Sequence, residues 1–163
     1  MIAVVTGVSG AGKTTVGKAL AARLGWQFAD ADDFHSEANK RKMEAGIPLN
    51  NKDRAPWLAG MRAQIDAWLE SESNAVLACS ALKSAYRVRL GGHCAKVRFV
   101  FLEITLEEAV RRLSRRQGHF MKANMAQSQF EALERPTAEE AMIIDGSGSP
   151  DSVSASIAEK LAK

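Results

Sequence analysis

The feature that most constrains this chain is a glycine-rich segment of eight residues near its start, residues 7–14. Its sequence, Gly-Val-Ser-Gly-Ala-Gly-Lys-Thr, satisfies the Walker A pattern at every position. An apolar run precedes the segment and a helical pattern over residues 14–24 follows it, so it stands where a strand passes into a helix. The glycines let the backbone curl until successive amide hydrogens converge on phosphate groups, and the helix adds the positive end of its dipole. The sequence therefore predicts a loop that binds the phosphates of a nucleotide.

The side chains at the end of this loop predict the chemistry of the nucleotide site. Lys13 would place a compact positive charge on the transferring phosphoryl group, and the Thr14 hydroxyl would ligate magnesium. ATP and Mg2+ are therefore the expected cofactors. The alternative is a glycine-rich turn without a ligand, which the complete pattern and its flanks disfavour. The residues expected to bind nucleotide are Gly7, Val8, Ser9, Gly10, Ala11, Gly12, Lys13, Thr14, Thr15, Arg112 and Arg116.

Short apolar runs alternate with longer helical patterns along the chain, which is typical of βαβ units and a parallel sheet. The predicted strands span residues 2–6, 27–29, 75–79, 97–102 and 142–144. Several of them are continuously apolar, as expected for strands that helices cover on both faces. The chain has no internal repeat and no linker, so residues 1–163 are predicted to form one α/β domain.

Composition excludes several other classes of protein. The net charge is +3 and the basic residues are scattered among acids, so no nucleic-acid partner is expected. The two cysteines are too few for a disulfide framework, and Cys79 lies in an apolar run where a buried, unreactive thiol is expected. No charged leader and no segment long enough to span a membrane are present. We therefore expect a cytoplasmic protein with no membrane partner.

Two other kinds of nucleotide enzyme are disfavoured. A GTPase would need Asn-Lys-x-Asp after a strand, whereas in the run that begins at Asn51 the aspartate, Asp53, comes one place early and no strand leads into it. A motor ATPase would carry an acid after a second apolar strand, where Glu103 stands. The chain, however, has little room for the additional elements that a motor requires.

Acidic residues follow the second predicted strand. Asp30 and Asp32 stand at the carboxyl end of that strand, where a parallel sheet binds its ligands. Alternation along a strand would place both side chains on one side. Two carboxylates that face a phosphate loop suit the ordering of magnesium and the orientation of an attacking hydroxyl. The alternative, a solvated acidic turn, would be favoured if the phosphate loop were absent.

Several further motifs along the sequence together resemble those of one known family. They are Asp30-Ala31-Asp32 with His35, then residues 42–50, 53–58, 79–83, 86–87, 116–120 and 128–134. Together with the phosphate loop they span most of the chain, which resembles the gluconate kinase (gluconokinase) family within the shikimate-kinase and nucleoside-monophosphate-kinase group. The resemblance implies phosphorylation of D-gluconate by ATP to 6-phospho-D-gluconate and ADP. It also implies a three-layer P-loop NTPase fold with five parallel strands in the order 2-3-1-4-5, a small helical lid and a homodimer.

Three features depart from the pattern of that family. Residues 121–126 differ from the apolar pair that the family usually has before the Ser-Gln-Phe segment, residues 128–130. Asp33 adds an acid beside the expected Asp30 and Asp32. Arg135 stands where the family often has a small or acidic residue. These differences concern the lid and not the reaction.

The chemistry of gluconate assigns roles to the remaining candidates. It carries a carboxylate at one end and the reacting primary hydroxyl at the other, so its pocket needs cations far from the phosphate and a hydroxyl-orienting group close to it. Asp32 is expected to orient the hydroxyl, and Asp30 to contact magnesium through water. Arg54, Lys83 and Arg87 are candidates for the carboxylate and polyol, and the alternative for each is an ordinary exposed charge. Lys83 and Arg87 stand four apart, on one predicted helix face near the cleft. The residues expected to bind substrate are Asp32, His35, Arg54, Lys83, Arg87 and His119.

A lid is predicted over about residues 116–135. Such lids exclude water, and their arginines stabilise charge on the transferring phosphoryl group. Arg116 matches the motif of the family and joins Lys13 and Asp32 as a catalytic candidate. His35 could bind hydroxyls or cap the following helix. The apolar residues Trp57, Met61, Ile65 and Trp68, at helical spacing, are predicted to be core and not a sugar-stacking surface.

Two competing interpretations stay open at this point. Another small-acceptor kinase, for shikimate or a nucleoside, would share the phosphate loop but not residues 80–83 and 118–120. A regulatory nucleotide-binding module or a basic nucleic-acid binder would not need Lys13, Asp32 and the lid arginines together.

Overall fold

The computed structural model describes residues 1–115 and 119–163 of the chain. Within these ranges a five-stranded parallel sheet forms the centre of the protein, with strand order β2-β3-β1-β4-β5. The order that the family resemblance implied is confirmed, and every predicted strand is confirmed to within one residue. The strands are β1 (Ile2–Thr6), β2 (Gln27–Asp30), β3 (Ala75–Ala78), β4 (Val97–Glu103) and β5 (Met142–Asp145).

Helices follow the strands as the alternating pattern predicted. They are α1 (Lys13–Leu24), α2 (Glu37–Glu44), α3 (Asn51–Glu70), α4 (Ser84–Leu90), α5 (Leu106–Ser114), α6 (His119–Ala132) and α7 (Pro150–Leu161). A short 3-10 turn, Ala31–Phe34, joins β2 to α2. In the described ranges, no helix combines the length and the apolar character needed to cross a membrane.

The sheet separates two apolar cores. On one face, Ile2, Val4 and Leu77 pack with Met61 and Ile65 of α3. The predicted core residues of α3, Trp57 and Trp68 included, are all buried. On the other face, alternate strand residues pack against α1, α5 and α7. This three-layer arrangement buries β1 and β3 along their whole length and leaves the edge strands β2 and β5 partly exposed.

Short polar side chains begin several helices. Asn50 and Asp53 form a complete capping box at α3, with the Asp53 amide donating to Asn50 Oδ1 at 2.8 Å. Asp53, the aspartate considered above for a GTPase motif, therefore caps the N-terminus of α3. At α5, the Thr105 side chain accepts from the Glu108 amide, while the Glu108 carboxylate bonds Arg111 and Arg112. The helix α5 therefore begins with a capping hydroxyl and an ion-pair cluster.

Candidate active site

The phosphate loop connects β1 to α1 and has the conformation that its glycines require. Gly10 and Gly12 have φ of 87° and 89°, a region that residues with side chains rarely adopt. A Cβ on Gly10 would lie 3.0 Å from the Ala109 carbonyl oxygen, because α5 packs directly against the loop. Lys13 begins α1, and its Nζ donates to the Val8 carbonyl at 3.0 Å, which holds the ammonium group over the loop. The loop therefore presents the backbone and the charge of a phosphate site.

Arg112 supports this loop from the side of α5. Its guanidinium donates to the carbonyls of Gly10 at 3.2 Å and Gly146 at 2.7 Å, and its Nε donates to Glu108 at 2.8 Å. Hydrogen bonds from Arg111 and Arg112 lower the pKa of Glu108 to about 2, so the anion that holds Arg112 persists in mild acid. Contact between Arg112 and a nucleotide stays a prediction.

A chain of hydrogen bonds joins the loop to the acidic residues after β2. The Thr14 hydroxyl donates to Asp30 Oδ2 at 2.5 Å, and Asp30 Oδ1 accepts from the Asp32 amide at 3.0 Å. A hydroxyl and a carboxylate are hard oxygen ligands of the kind that Mg2+ prefers. Within the described ranges no cluster of three or more histidine, cysteine or acidic side chains could hold a metal ion. These residues therefore fit a Mg2+ held by one or two protein oxygens together with water and phosphate.

Asp32 lies close to Asp30, but not for the predicted reason. The strand ends at Asp30, and residues 31–34 turn as a 3-10 helix, so strand alternation does not apply and that expectation is wrong. The turn is anchored by Trp57, whose Nε1 donates to the Ala31 carbonyl at 2.7 Å. Partial burial, and then the charge of Asp30, raise the pKa of Asp32, while His35 and Lys13 oppose the increase. The charges of both Asp30 and Lys13 therefore act on the Asp32 carboxylate.

His35 follows the turn and is held by an aromatic stack. Its ring lies 4.6 Å from that of Trp57, with the planes 6° apart, and its Nδ1 is 3.5 Å from Asn39 Nδ2. Ser36, not His35, supplies the side-chain cap of α2, so the capping alternative for His35 is wrong. Partial burial lowers the pKa of His35, the Asp32 charge opposes this effect, and Lys40 adds to it. The balance of these effects leaves the pKa of His35 below its usual value.

Arg54 completes this side of the cleft. It lies in the first turns of α3, and its Nη1 donates to the Tyr86 hydroxyl of α4 at 3.4 Å. The charge of Arg54 is also one of the causes that lower the pKa of His35. Asp32 and Arg54 thus both act electrostatically on His35, and all three are predicted substrate residues.

Lys83 and Arg87 do not form the shared helix face that was predicted. The helix α4 begins at Ser84, so Lys83 precedes it in an extended conformation. Arg87 is 96% buried, and its Nη1 donates to the carbonyls of Ala81 at 3.1 Å and Leu82 at 3.2 Å. Its Nη2 lies 3.6 Å from a carboxylate oxygen of Glu140. Arg87 therefore shapes the loop after β3.

The structure describes residues 119–135 of the predicted lid, and their side chains from residue 124 onward. Arg116 lies outside the described residues, and His119 begins α6 while its side chain also lies outside them. Farther along α6, Gln129 Oε1 accepts a hydrogen bond from the Ser9 amide of the phosphate loop at 2.5 Å. Met125, one turn earlier, has its sulfur 3.6 Å from Ser9 Oγ. Sequence reasoning included Gln129 in the family resemblance but assigned it no role.

The segment after α6 is fastened to the rest of the site. The Glu134 amide donates to the Leu82 carbonyl at 3.0 Å, and the Ser84 amide donates to the Glu134 carboxylate at 3.0 Å. Arg135, which departs from the pattern of the family, pairs with Glu103 at 2.6 Å. The acid that a motor ATPase would use at Glu103 is therefore engaged in a contact with the end of the lid region.

Comparison with known proteins shows similarity over almost the whole chain. A family model described as shikimate kinase matches residues 9–162. A gluconokinase from Gluconobacter oxydans (strain 621H) is 46% identical over 151 residues, 92% of this chain and 85% of that protein. A solved gluconokinase from Sinorhizobium meliloti 1021 is 37% identical with a TM-score of 0.82, over 98% of this chain and 94% of that one. An unliganded sugar kinase from Janibacter sp. HTCC2649 is 38% identical with a TM-score of 0.88, over 99% and 94%.

Proposed function

This chain belongs to the gluconokinase family within the shikimate-kinase-like P-loop kinases, and we propose that it transfers the γ-phosphoryl group of ATP to the 6-hydroxyl of D-gluconate. Membership of this family makes the chain a kinase that phosphorylates an alcohol group of a sugar acid, and it implies the use of ATP. The products would be 6-phospho-D-gluconate and ADP. The observation that carries the proposal is the hydrogen-bonded sequence Thr14–Asp30–Asp32, which joins a complete phosphate loop to an acid beside it.

The phosphate loop would hold and neutralise the triphosphate. Its amide hydrogens and the start of α1 would bind the phosphate oxygens, and Lys13 would follow the negative charge of the transferring group. Phosphoryl transfer has a loose transition state, so charge stabilisation and positioning supply most of the catalysis. Arg116 is proposed to add a second positive charge from the lid.

Thr14 and Asp30 are the residues that would hold magnesium, Thr14 directly and Asp30 through water. When bound, the ion would supply positive charge to the phosphate oxygens. The Asp30 carboxylate also accepts from the Asp32 amide. Asp30 would therefore fix the position of Asp32, which faces the acceptor, relative to the magnesium ion.

Asp32 is proposed to accept a hydrogen bond from the 6-hydroxyl and to orient its oxygen toward the γ-phosphorus. The raised pKa of its carboxyl group makes it a better proton acceptor than an aspartate whose pKa is not shifted. Its solvent exposure leaves it accessible to a substrate.

The far end of gluconate would meet the cations and donors across the cleft. Arg54 offers a planar fork that matches a carboxylate, and His35 could donate to or accept from hydroxyl groups. Lys83 and His119 are proposed to add further contacts. The burial of Arg87 assigns it to the support of residues 81–82, so we place it behind the substrate. The proposal also includes a homodimer, as the resemblance to the family implies, and a cytoplasmic location, as expected from the sequence.

A coupled assay of ADP release with gluconate, with shikimate and with no acceptor tests this function. Release that depends on gluconate is expected. ADP release that depends on shikimate would instead indicate a shikimate kinase. Equal ADP release with no acceptor would indicate an ATPase. No turnover with nucleotide binding intact would support a regulatory module.

A further inference from the structure

The contact between Gln129 and Ser9 joins two parts of the site that lie 120 residues apart in the chain. Ser9 is the third residue of the phosphate loop, and its amide hydrogen points to the carboxamide oxygen of Gln129 at 2.5 Å. Met125 approaches the Ser9 hydroxyl from the same face of α6, since residues four apart lie on one face of a helix. This face of α6 therefore lies against the third residue of the phosphate loop.

The chemistry of a carboxamide distinguishes this contact from simple packing. Glutamine carries an acceptor and a two-hydrogen donor on the same carbon, so the group that accepts from Ser9 brings two N–H bonds beside the loop. A terminal phosphoryl group in the loop has only acceptor oxygens. The Ser9 amide hydrogen is already bonded to Gln129. A phosphate oxygen at this turn would therefore accept a hydrogen bond from the Gln129 amide group and not from the Ser9 backbone. A glutamate at the same position would accept from Ser9 equally well but would repel the phosphate.

We propose that Gln129 binds the terminal phosphoryl group of the nucleotide, accepting from the Ser9 amide through Oε1 and donating to the γ-phosphate through Nε2. This inference rests on the proposed function only in requiring a nucleoside triphosphate in the loop. It makes Gln129 a sensor of the third phosphate: ATP and its analogues gain the contact, and ADP does not. The same hydrogen bonds would hold α6 against the loop while the phosphoryl group is present.

The competing explanation is that Gln129 merely fastens α6 to the loop. In that case its loss would disturb the loop for every nucleotide, and ATP analogues and ADP would be affected alike. The ratio of the two affinities therefore separates a phosphate ligand from a structural contact. It requires no sugar acid, so a failure of the gluconate assignment would not be confused with a failure of this inference.

The experiment measures dissociation constants for AMPPNP and for ADP by titration calorimetry, in the full chain with magnesium, for the wild type, Gln129→Met and Gln129→Glu. Methionine keeps the unbranched shape but loses both the donor and the carboxamide oxygen that accepts from Ser9, whereas glutamate keeps an acceptor, loses the donor and adds charge. Gln127→Glu is the matched control, because Gln127 is exposed on the same helix and bonds Glu131. Circular dichroism and thermal unfolding check that each variant is folded.

Gln129→Met should weaken AMPPNP by about tenfold and Gln129→Glu by more, the range for a hydrogen bond to a charged group. ADP should change by less than about threefold in both variants, and Gln127→Glu should change neither nucleotide. Equal losses for AMPPNP and ADP would overturn the inference in favour of the structural contact. Unchanged AMPPNP affinity in Gln129→Glu would also overturn it, because a new carboxylate beside the γ-phosphate could not be neutral.

Discussion

Replacing Asp32 with asparagine tests the mechanism at the residue on which it most depends. Asparagine is nearly isosteric, so the 3-10 turn held by Trp57 and Asp30 should survive, but it cannot take up the hydroxyl proton or supply negative charge. A positioned acid–base group contributes roughly a hundredfold or more to the rate. We therefore expect kcat to fall by at least about a hundredfold, which corresponds to about 3 kcal/mol of transition-state free energy.

The pKa of Asp32 predicts two further properties of this variant. Burial and the charge of Asp30 raise that pKa in the folded chain above the ordinary value of 3.8. At a pH at which Asp32 is ionised, its carboxylate therefore lowers the free energy of unfolding. Asp32→Asn should consequently unfold at the same or a higher temperature at pH 7, and the difference should disappear below about pH 4. In the wild type, kcat should fall on acidification with an apparent pKa above 3.8, and the variant should lack this dependence.

Gluconate-dependent ADP release and binding of an ATP analogue are the two measurements, and Asp33→Asn is the control. Asp33 is the next residue of the same exposed turn and should be tolerant. Loss of activity in Asp33→Asn with a tolerant Asp32→Asn would show that the register assigned to the turn is wrong. Tolerance at both positions would make the acids a solvated turn and refute the reasoning.

The remaining predictions concern the loop, the metal and the acceptor. Lys13→Met should keep the fold by circular dichroism and lower kcat by roughly a hundredfold, about 3 kcal/mol, and near-wild-type turnover would contradict the role of the loop. Asp30→Asn should raise the Mg2+ concentration for half-maximal rate by about tenfold, because a water-mediated carboxylate is lost; an unchanged magnesium titration would exclude that role. Glucose should be a very poor acceptor beside gluconate, and Arg54→Gln should lower kcat/KM for gluconate by at least about tenfold with little change for glucose. Equal losses for both sugars would remove Arg54 from the carboxylate end.

The sheet and the phosphate loop were predictable because their signals are local. Apolar runs such as Ile2–Thr6 specify buried strands through their own composition, and the loop pattern fixes its conformation through the glycines that it contains. The start of α7 is equally local, since the Ser149 side chain caps the helix and Pro150 occupies its first turn.

Other parts of the site depend on contacts between distant residues. The turn after β2 is anchored by Trp57 of α3, so strand alternation could not place Asp32 correctly. Arg87 was expected to share a helix face near the cleft with Lys83, but it is buried and donates to the carbonyls of the loop after β3. The contact of Gln129 with Ser9 joins residues 120 positions apart, and no spacing in the sequence indicates it. A polar residue within a motif but without an assigned role was the only available signal.

The central claim is that this kinase phosphorylates the primary hydroxyl of gluconate, and the structure of its product tests that claim most directly. The product of ATP and gluconate would be purified and examined by phosphorus–proton correlation NMR. A phosphorus resonance coupled to the two protons on C6 is the expected result, with one ADP formed for each product molecule. Coupling to any other carbon-bound proton of the sugar acid, or ADP formed without a phosphorylated sugar acid, would contradict the account.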